Sequence, residues 1–263
     1  MIGRIVAARR SLRLPAPLLS GPSSPTWNLR GLPVCASTEW ELDRWLATTM
    51  PPSKRLQRPR AVIARRQRHS FGQYGRSWLA PVGGVWLSAA LPWPRRGGAA
   101  PGLAVASGLA LAMEALGVPV RIKWPNDLLW RERKLAGLLP RLRWGQAGVR
   151  WARVGIGLNG CNRVPPGATN LLGPLGGRAA QPLWLCAVVL VALDWAMASA
   201  EDSEGVRELA EQRLLLPPTA MEPEGARWRA RGLSADGGLV MVSGDRLRIL
   251  HRHVDDGEPA GSA

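Results

Sequence analysis

Apolar residues recur at near-helical spacing after Ser37, at Trp40, Leu42, Trp45 and Leu46, and Ser37 is a side chain suited to cap a helix start. Short apolar runs at Ala61–Ala64 and Val85–Leu91 predict two buried strands joined by a polar, glycine-bearing loop. The stretch 101–116 predicts a core helix. Val120–Lys123 predicts a strand that ends in a turn at Pro125-Asn126-Asp127. Leu128–Trp130 and Lys134–Leu139 read as a hairpin around the charged tip Arg131-Glu132-Arg133, and Val154–Leu158 as a further strand. The segment 182–200 is apolar, but Asp194 interrupts it and Glu201-Asp202 follow at once, so a buried helix is expected and no membrane span. A charged helix over Ser203–Leu214 comes next.

Beyond Pro217-Pro218 the texture changes. Ala226–Gly232, Leu239–Ser243 and Arg246–His251 alternate over short runs, with turns at Asp236-Gly237-Gly238 and Gly244-Asp245, which predicts a small β-barrel-like appendix. The order of elements is mixed and lacks a regular βαβ repeat. The expected fold class is therefore α+β, a mixed β-sheet covered by helices. The chain divides into an irregular basic lead-in at 1–33, a main domain at 34–214 and the small domain at 217–254. The lead-in carries five prolines, so a winged-helix DNA-binding domain is not expected in it. It also lacks the apolar core of a secretory signal, which makes a cytoplasmic protein the expectation.

Composition narrows this picture. Of 263 residues, 46% are hydrophobic and 21% charged, an ordinary globular balance that excludes a disordered chain. The three cysteines, Cys35, Cys161 and Cys186, stand far apart, which excludes a disulfide framework and a cysteine zinc site. Lys+Arg 35 against Asp+Glu 19 gives +16, yet only Lys54, Lys123 and Lys134 are lysines. From Arg44 to Arg96 eleven basic residues occur with no acid. Such a run is either a solvated arginine face or one that attracts anions, and no helix-turn-helix or zinc-finger spacing favours specific DNA.

Two segments carry candidate chemistry. Gln67 to Trp78 contains Gly72, Gly75 and Arg76, so it can fold closely over an anion, although most glycine loops between strands are only turns. Lys123-Trp124-Pro125-Asn126-Asp127 is followed by Lys134-Leu135-Ala136-Gly137. A chain that otherwise uses arginine places two of its three lysines within twelve residues there. An ammonium can sit between two oxyanions without a fork's geometric demands, and Asp127 can hold Mg²⁺. An exposed turn with solvated lysines is the plain alternative.

Together these segments resemble the catalytic domain of biotin–protein ligases. That family carries Gly-Arg-Gly-Arg-x-Gly-Arg-x-Trp preceded by Gln, then Lys-Trp-Pro-Asn-Asp, Lys-(Leu/Ile)-Ala-Gly and Gly-x-Gly-(Ile/Leu)-Asn. The matching stretches here are Ser70–Trp78 with Gln67, Lys123–Asp127, Lys134–Leu139 and Gly155–Asn159, while Ser37-Thr38 match the family's Ser-Thr. The appendix resembles the family's SH3-like C-terminal domain.

The resemblance implies a ligase that forms biotinyl-5′-AMP from biotin and ATP with Mg²⁺. Biotin then passes to a lysine of a carboxylase's biotin carboxyl carrier domain. It implies Lys134, Lys123 and Arg76 as catalytic groups and Asp127 as the Mg²⁺ ligand. Biotin contacts would come from Ser37, Thr38, Gln67, Gly72, Lys134, Gly137, Gly155 and Gly157, the last three glycines leaving room for the bicycle. ATP contacts would come from Arg76, Trp78, Lys123, Asn126 and Asn159, with Trp78 stacked on adenine. The sequence departs from the pattern where Phe71 and Gln73 replace loop arginines, and where Pro140-Arg141 follow Leu138-Leu139. A lipoate–protein ligase on the same scaffold is the alternative enzyme, and a basic nucleic-acid-binding module the alternative of another class.

Overall fold

The computed structural model describes residues 1–12, 25–51, 53–216, 220–221 and 227–251. Its centre is an eight-stranded mixed sheet built from β1 (Asn28–Leu32), β2 (Arg60–Ala64), β3 (Val85–Leu91), β4 (Arg121–Lys123), β5 (Asp127–Trp130), β6 (Arg133–Gly145), β7 (Gly148–Leu158) and β8 (Leu214–Leu215). The strands lie in the order β1-β2-β3-β7-β6-β5-β4-β8. Only the β1–β2 and β4–β8 pairings are parallel.

Helices cover both faces, which is why all seven residues of β3 are buried. On one face α3 (Pro101–Ala115) and α5 (Pro182–Ala198) pack against Leu87, Leu91, Val154 and Ile156. On the other, α2 (Thr38–Thr49) lays Leu42, Trp45 and Leu46 over Val62, Ala90 and Trp151. Strand periodicity puts every second residue on this second face, so Ser88, Gly137, Leu139, Gly155 and Gly157 share it with α2. Helix α2 covers only part of that face, and the uncovered part is where the cavity lies.

The expectation of an irregular segment at 1–33 needs correction. Residues Ile2–Ser11 form a helix, α1, whose Ile5 is buried against the main core, and Asn28–Leu32 form β1. Arg9 of α1 pairs with Asp194 of α5, and Trp27 Nε1 donates to the same carboxylate at 2.8 Å. Asp194 thus interrupts the apolar helix because it receives α1, and desolvation pushes its carboxyl up against the opposing pull of Arg9 and Trp27. The prolines dominated the sequence pattern, but Pro15, Pro17 and Pro22 lie outside the described residues, as do Arg13 and Pro217-Pro218.

Strands β6 and β7 run longer than the apolar pattern predicts and close in a tight hairpin with Gly145 opposite Gly148. Their outer halves carry Arg141, Arg143, Arg150 and Arg153, which masked them as strand. A short helix, α4 (Leu172–Ala179), precedes α5, and α6 (Ser203–Glu211) leads into β8. A second sheet is antiparallel, in the order β12-β11-β10-β9, from β9 (Ala220–Met221), β10 (Arg227–Leu233), β11 (Leu239–Ser243) and β12 (Arg246–Leu250). Trp124 Nε1 donates to Gly237 O at 2.9 Å and Leu233 N to Glu211 Oε1 at 2.6 Å, which fastens this sheet beside β4 and α6. Among the described residues no single helix is long and apolar enough to cross a membrane.

Candidate active site

A cavity of about 310 Å³ opens on the α2 face of the large sheet. Its floor is the glycine-rich middle of β6 and β7, its deep end is the start of α2, and its roof is the loop between β2 and β3. Ser37, Thr38, Gln67, Gly72, Arg76, Trp78, Lys123, Asn126, Asp127, Lys134, Gly137, Gly155 and Gly157 all line it. Residues spread over 120 positions are thereby brought together. A larger open groove, about 1030 Å³, runs by Trp93–Gly97 and contains none of them.

The cationic end is set by two lysines. Lys134 Nζ lies 2.7 Å from Asp127 Oδ1 and 5.1 Å from the centroid of the Trp78 ring. Lys123, at the end of β4, is exposed at the cavity edge. The pairing Asp127↔Gly137 on β5–β6 is what puts the two motifs side by side. Asn126 lines the cavity, but its Nδ2 donates to Leu138 O at 2.6 Å, so it also clamps that turn.

Asn159 is the one expected ligand contact that does not line the cavity. It is buried, its Nδ2 donates to Thr169 O at 3.0 Å, and its Oδ1 accepts from Asn162 Nδ2 at 3.1 Å. The segment it holds returns along Lys134, whose backbone bonds to Gly167 and Thr169. Asn159 therefore supports Lys134 from behind.

The deep end is polar. Ser37 caps α2 by accepting from Glu39 N at 3.2 Å, and Thr38 donates to Gln67 Oε1 through its backbone N at 2.6 Å and its hydroxyl at 3.0 Å. Ser88 and Glu39 were missed by motif reading. Ser88 is fully buried on β3 and sits 2.8 Å from Thr38 Oγ1. Glu39 is locked by Arg153 Nη2 at 2.8 Å, and Arg153 also pairs with Asp43, tying the start of α2 to β7. The only foreshadowing of Ser88 was a hydroxyl inside an otherwise apolar strand.

The loop over the cavity is closed upon itself. Gly72 N donates to Arg76 O at 2.8 Å, Trp78 N to Ser70 O at 3.1 Å, and Ser70 Oγ to Trp78 O at 2.6 Å. Phe71 stacks on Trp40 of α2 with ring centroids 6.0 Å apart. Tyr74 adopts φ 56° at the tip and is 66% exposed, so it faces away from the cavity.

The fold is that of the biotin protein ligase catalytic domain. The structure superposes on a biotin protein ligase from Aquifex aeolicus in complex with biotin and ATP with a TM-score of 0.63. Identity is 23%, covering 85% of this chain and 95% of that one. A biotin acetyl coenzyme A carboxylase synthetase from Helicobacter pylori with bound biotinylated ATP gives a TM-score of 0.56 at 19% identity, covering 85% of this chain and 100% of that one.

Residues 41–159 match the Biotin/lipoate A/B protein ligase family. Among curated proteins, the bifunctional ligase/repressor BirA of Escherichia coli is 37% identical over 103 residues, which is 38% of this chain and 32% of that protein. The biotin–[acetyl-CoA-carboxylase] ligase of Paracoccus denitrificans is 35% identical over 135 residues, 46% of this chain and 55% of its own length. The matches thus span roughly a third to just over half of these curated relatives.

Proposed function

We propose that this chain is an ATP-dependent biotin–protein ligase that forms biotinyl-5′-AMP and transfers biotin to a lysine of a carboxylase carrier domain. The observation that carries this reading is one cavity with a neutral hydrogen-bonding end at Gln67–Thr38 and a cationic end at Lys134 and Lys123. A ligand with a polar uncharged head, an apolar body and a terminal carboxylate matches that polarity.

Biotin's carboxylate oxygen bonds to the α-phosphorus of ATP and the bond to pyrophosphate breaks. Both reactants are anions, so positive charge at the meeting point lowers the barrier. Lys134 lies over Trp78 in the cavity and is the group suited to bridge carboxylate and α-phosphate, with Lys123 and Arg76 at the edge for the outer phosphates. Asp127 and Glu39 are the two carboxylates on the cavity wall, and both are ion-paired: Glu39 with Arg153 at the deep end, Asp127 with Lys134 at the cationic end where the phosphates would lie. Asp127 therefore fits as the protein ligand for Mg²⁺, an ion that binds through one or two carboxylates plus nucleotide phosphates. Bound there, Mg²⁺ neutralises phosphate charge. In the second step a carrier lysine amine attacks the acyl carbon, AMP departs, and the amide nitrogen loses its proton to solvent.

We read the second, four-stranded antiparallel sheet as the small SH3-like domain, and its Trp124–Gly237 bond links it to the Lys-Trp-Pro-Asn-Asp turn. A lipoate ligase shares the scaffold, but a dithiolane offers nothing to Gln67. The deciding experiment is ATP–pyrophosphate exchange, which should depend on biotin and not on lipoate. It should be followed by label transfer to an apo carrier domain. Exchange driven by lipoate alone would reverse the assignment.

A further inference from the structure

Lys134 is held from three sides by the protein itself. Its Nζ lies 5.1 Å from the centroid of the Trp78 ring, and its Cε is 3.3 Å from where a Cβ on Gly137 would stand. The third side is Asp127, whose Oδ1 is shielded from solvent and 2.7 Å from Nζ. Strand register fixes that contact, since Asp127 stands opposite Gly137 on one neighbour and opposite Lys123 on the other. Ring and floor already keep the ammonium in the cavity. Asp127 therefore does more than aim Lys134: it holds a negative charge against the group suited to receive the ligand's carboxylate.

An ammonium has three protons and can take a second carboxylate. Two carboxylates on one ammonium stand about 4.5 Å apart at ordinary charge-assisted distances, so their repulsion cancels much of what the second one gains. Both side chains are only partly exposed, and solvent reduces that repulsion without abolishing it. Lys123, whose charge opposes that of Asp127, is exposed at the cavity edge and more strongly screened.

We infer that Asp127 is a built-in competitor for Lys134, which makes the protein without nucleotide a poor judge between an anionic and a neutral chain end. The inference rests on the ligase reading above, which puts the ligand's carboxylate at Lys134 and a divalent cation at Asp127. One carboxylate then has two partners in turn, Lys134 first and the metal–nucleotide afterwards. The full charge of Lys134 is offered to the ligand only when Asp127 has its second partner. By linkage the two binding events favour each other to the same extent.

The test is calorimetry with biotin and with biotinol, its neutral alcohol, in the absence of nucleotide. Wild-type protein should prefer biotin by no more than about threefold. Asp127→Asn should bind biotin about tenfold more tightly and biotinol within about twofold of wild type. Glu132→Gln removes the same charge from the exposed hairpin tip nearby and should change neither affinity. With α,β-methylene-ATP present, replacing EDTA by Mg²⁺ should raise the preference for biotin over biotinol about fivefold more in wild type than in Asp127→Asn. Circular dichroism and melting temperature report the folding of each variant. If Asp127→Asn and Asp127→Ala both weaken biotin, or shift biotin and biotinol together, Asp127 is only an anchor for Lys134 and the inference is overturned, with the ligase reading left in place. An equal response to Mg²⁺ in wild type and Asp127→Asn overturns it as well. Wild-type protein that binds neither ligand overturns the reading itself.

Discussion

Gly157 and Trp78 compete for one volume: a Cβ on Gly157 would stand 2.6 Å from Trp78 Cε2 and 2.7 Å from its Nε1. Gly137, directly opposite on β6, would place a Cβ 2.9 Å from Cζ3 of the same ring. Two facing glycines thus form a flat seat for the indole. The resemblance had implied that they leave room for the ligand's bicycle, but the group they seat is Trp78. That ring in turn carries Lys134 on its face.

Gly157→Ala should therefore act on catalysis through Trp78. Overpacking of this kind costs about 1–3 kcal/mol when a ring must move. The expected outcome is biotin-dependent pyrophosphate exchange lowered at least about tenfold, with the melting temperature down by only a few degrees. Exchange within twofold of wild type would show that the ring's position is not used.

Lys134→Arg should be far more damaging than Lys123→Arg. Lys134 is held between Asp127 and the Trp78 face, and a planar guanidinium fork there would carry its charge to a different point, whereas Lys123 is exposed at the edge. We expect adenylate formation to fall by about two or more orders of magnitude for the first and by less than about tenfold for the second. The measurement is exchange rate, with circular dichroism as the folding control. Equal effects would remove Lys134 from the reacting centre.

The cavity was legible in the sequence because its residues are fixed by chemistry at short spacing. Lys123–Asp127 and Lys134–Gly137 meet through a single hairpin register, so reading two segments gave the whole cationic end. The support behind it was not legible. Asn159 looked like a ligand contact because its motif says so, and only the return of the chain at Thr169 shows its amide holding the segment behind Lys134. Ser88 had no motif at all. In the fold, α1 was lost among prolines, and its docking depends on Asp194, 185 residues away, which no local pattern can reveal.

The three thiols should separate by reactivity. Burial pushes Cys35 up to about 11 and Cys186 to about 12, whereas Cys161 is partly exposed. The neutral thiol is favoured in both buried cases, so neither forms appreciable thiolate at pH 8. Brief iodoacetamide treatment at that pH should label Cys161 first by mass spectrometry, with the other two labelled only on unfolding. Early labelling of Cys35 would mean that the segment between β1 and α2, which pairs with Gln67, opens readily.

The exposed arginines of the segment between β2 and β3 should speed encounter with an acidic carrier. Arg65, Arg66, Arg68 and Arg76 are exposed, while Arg55 is bonded to Trp93 and Val149 carbonyls and Arg60 is stacked on Trp45. Carrier kcat/KM should fall as salt rises, and Arg65→Glu/Arg66→Glu should lower it and flatten the dependence. Exchange without carrier should hardly change. A salt-independent kcat/KM would reduce these arginines to a solvated surface.

The loop departures lead to the last expectation. Phe71 and Gln73 stand where the resembling family places arginines, so Arg76 is the one arginine left in the motif, and it is exposed. A charge-assisted hydrogen bond to phosphate contributes about 1.5–3 kcal/mol, and each one missing loosens a bound adenylate about tenfold or more. Phe71 offsets part of this by another route. Its ring rests on Trp40, so the roof is pinned to the first turn of α2 by an aromatic contact instead of to the ligand by charge. Tyr74 adds nothing over the ligand, since its side chain points to solvent beside Arg76. The contact with Trp40 holds the roof but does not hold the phosphate. Biotinyl-adenylate should therefore form normally and leave early, and when carrier is withheld it should biotinylate bystander lysines. Radiolabelled adenylate trapped on the enzyme should dissociate at least tenfold faster than from a Phe71→Arg/Gln73→Arg variant. Equal off-rates would mean that the Phe71–Trp40 contact retains the intermediate as well as the missing charges would.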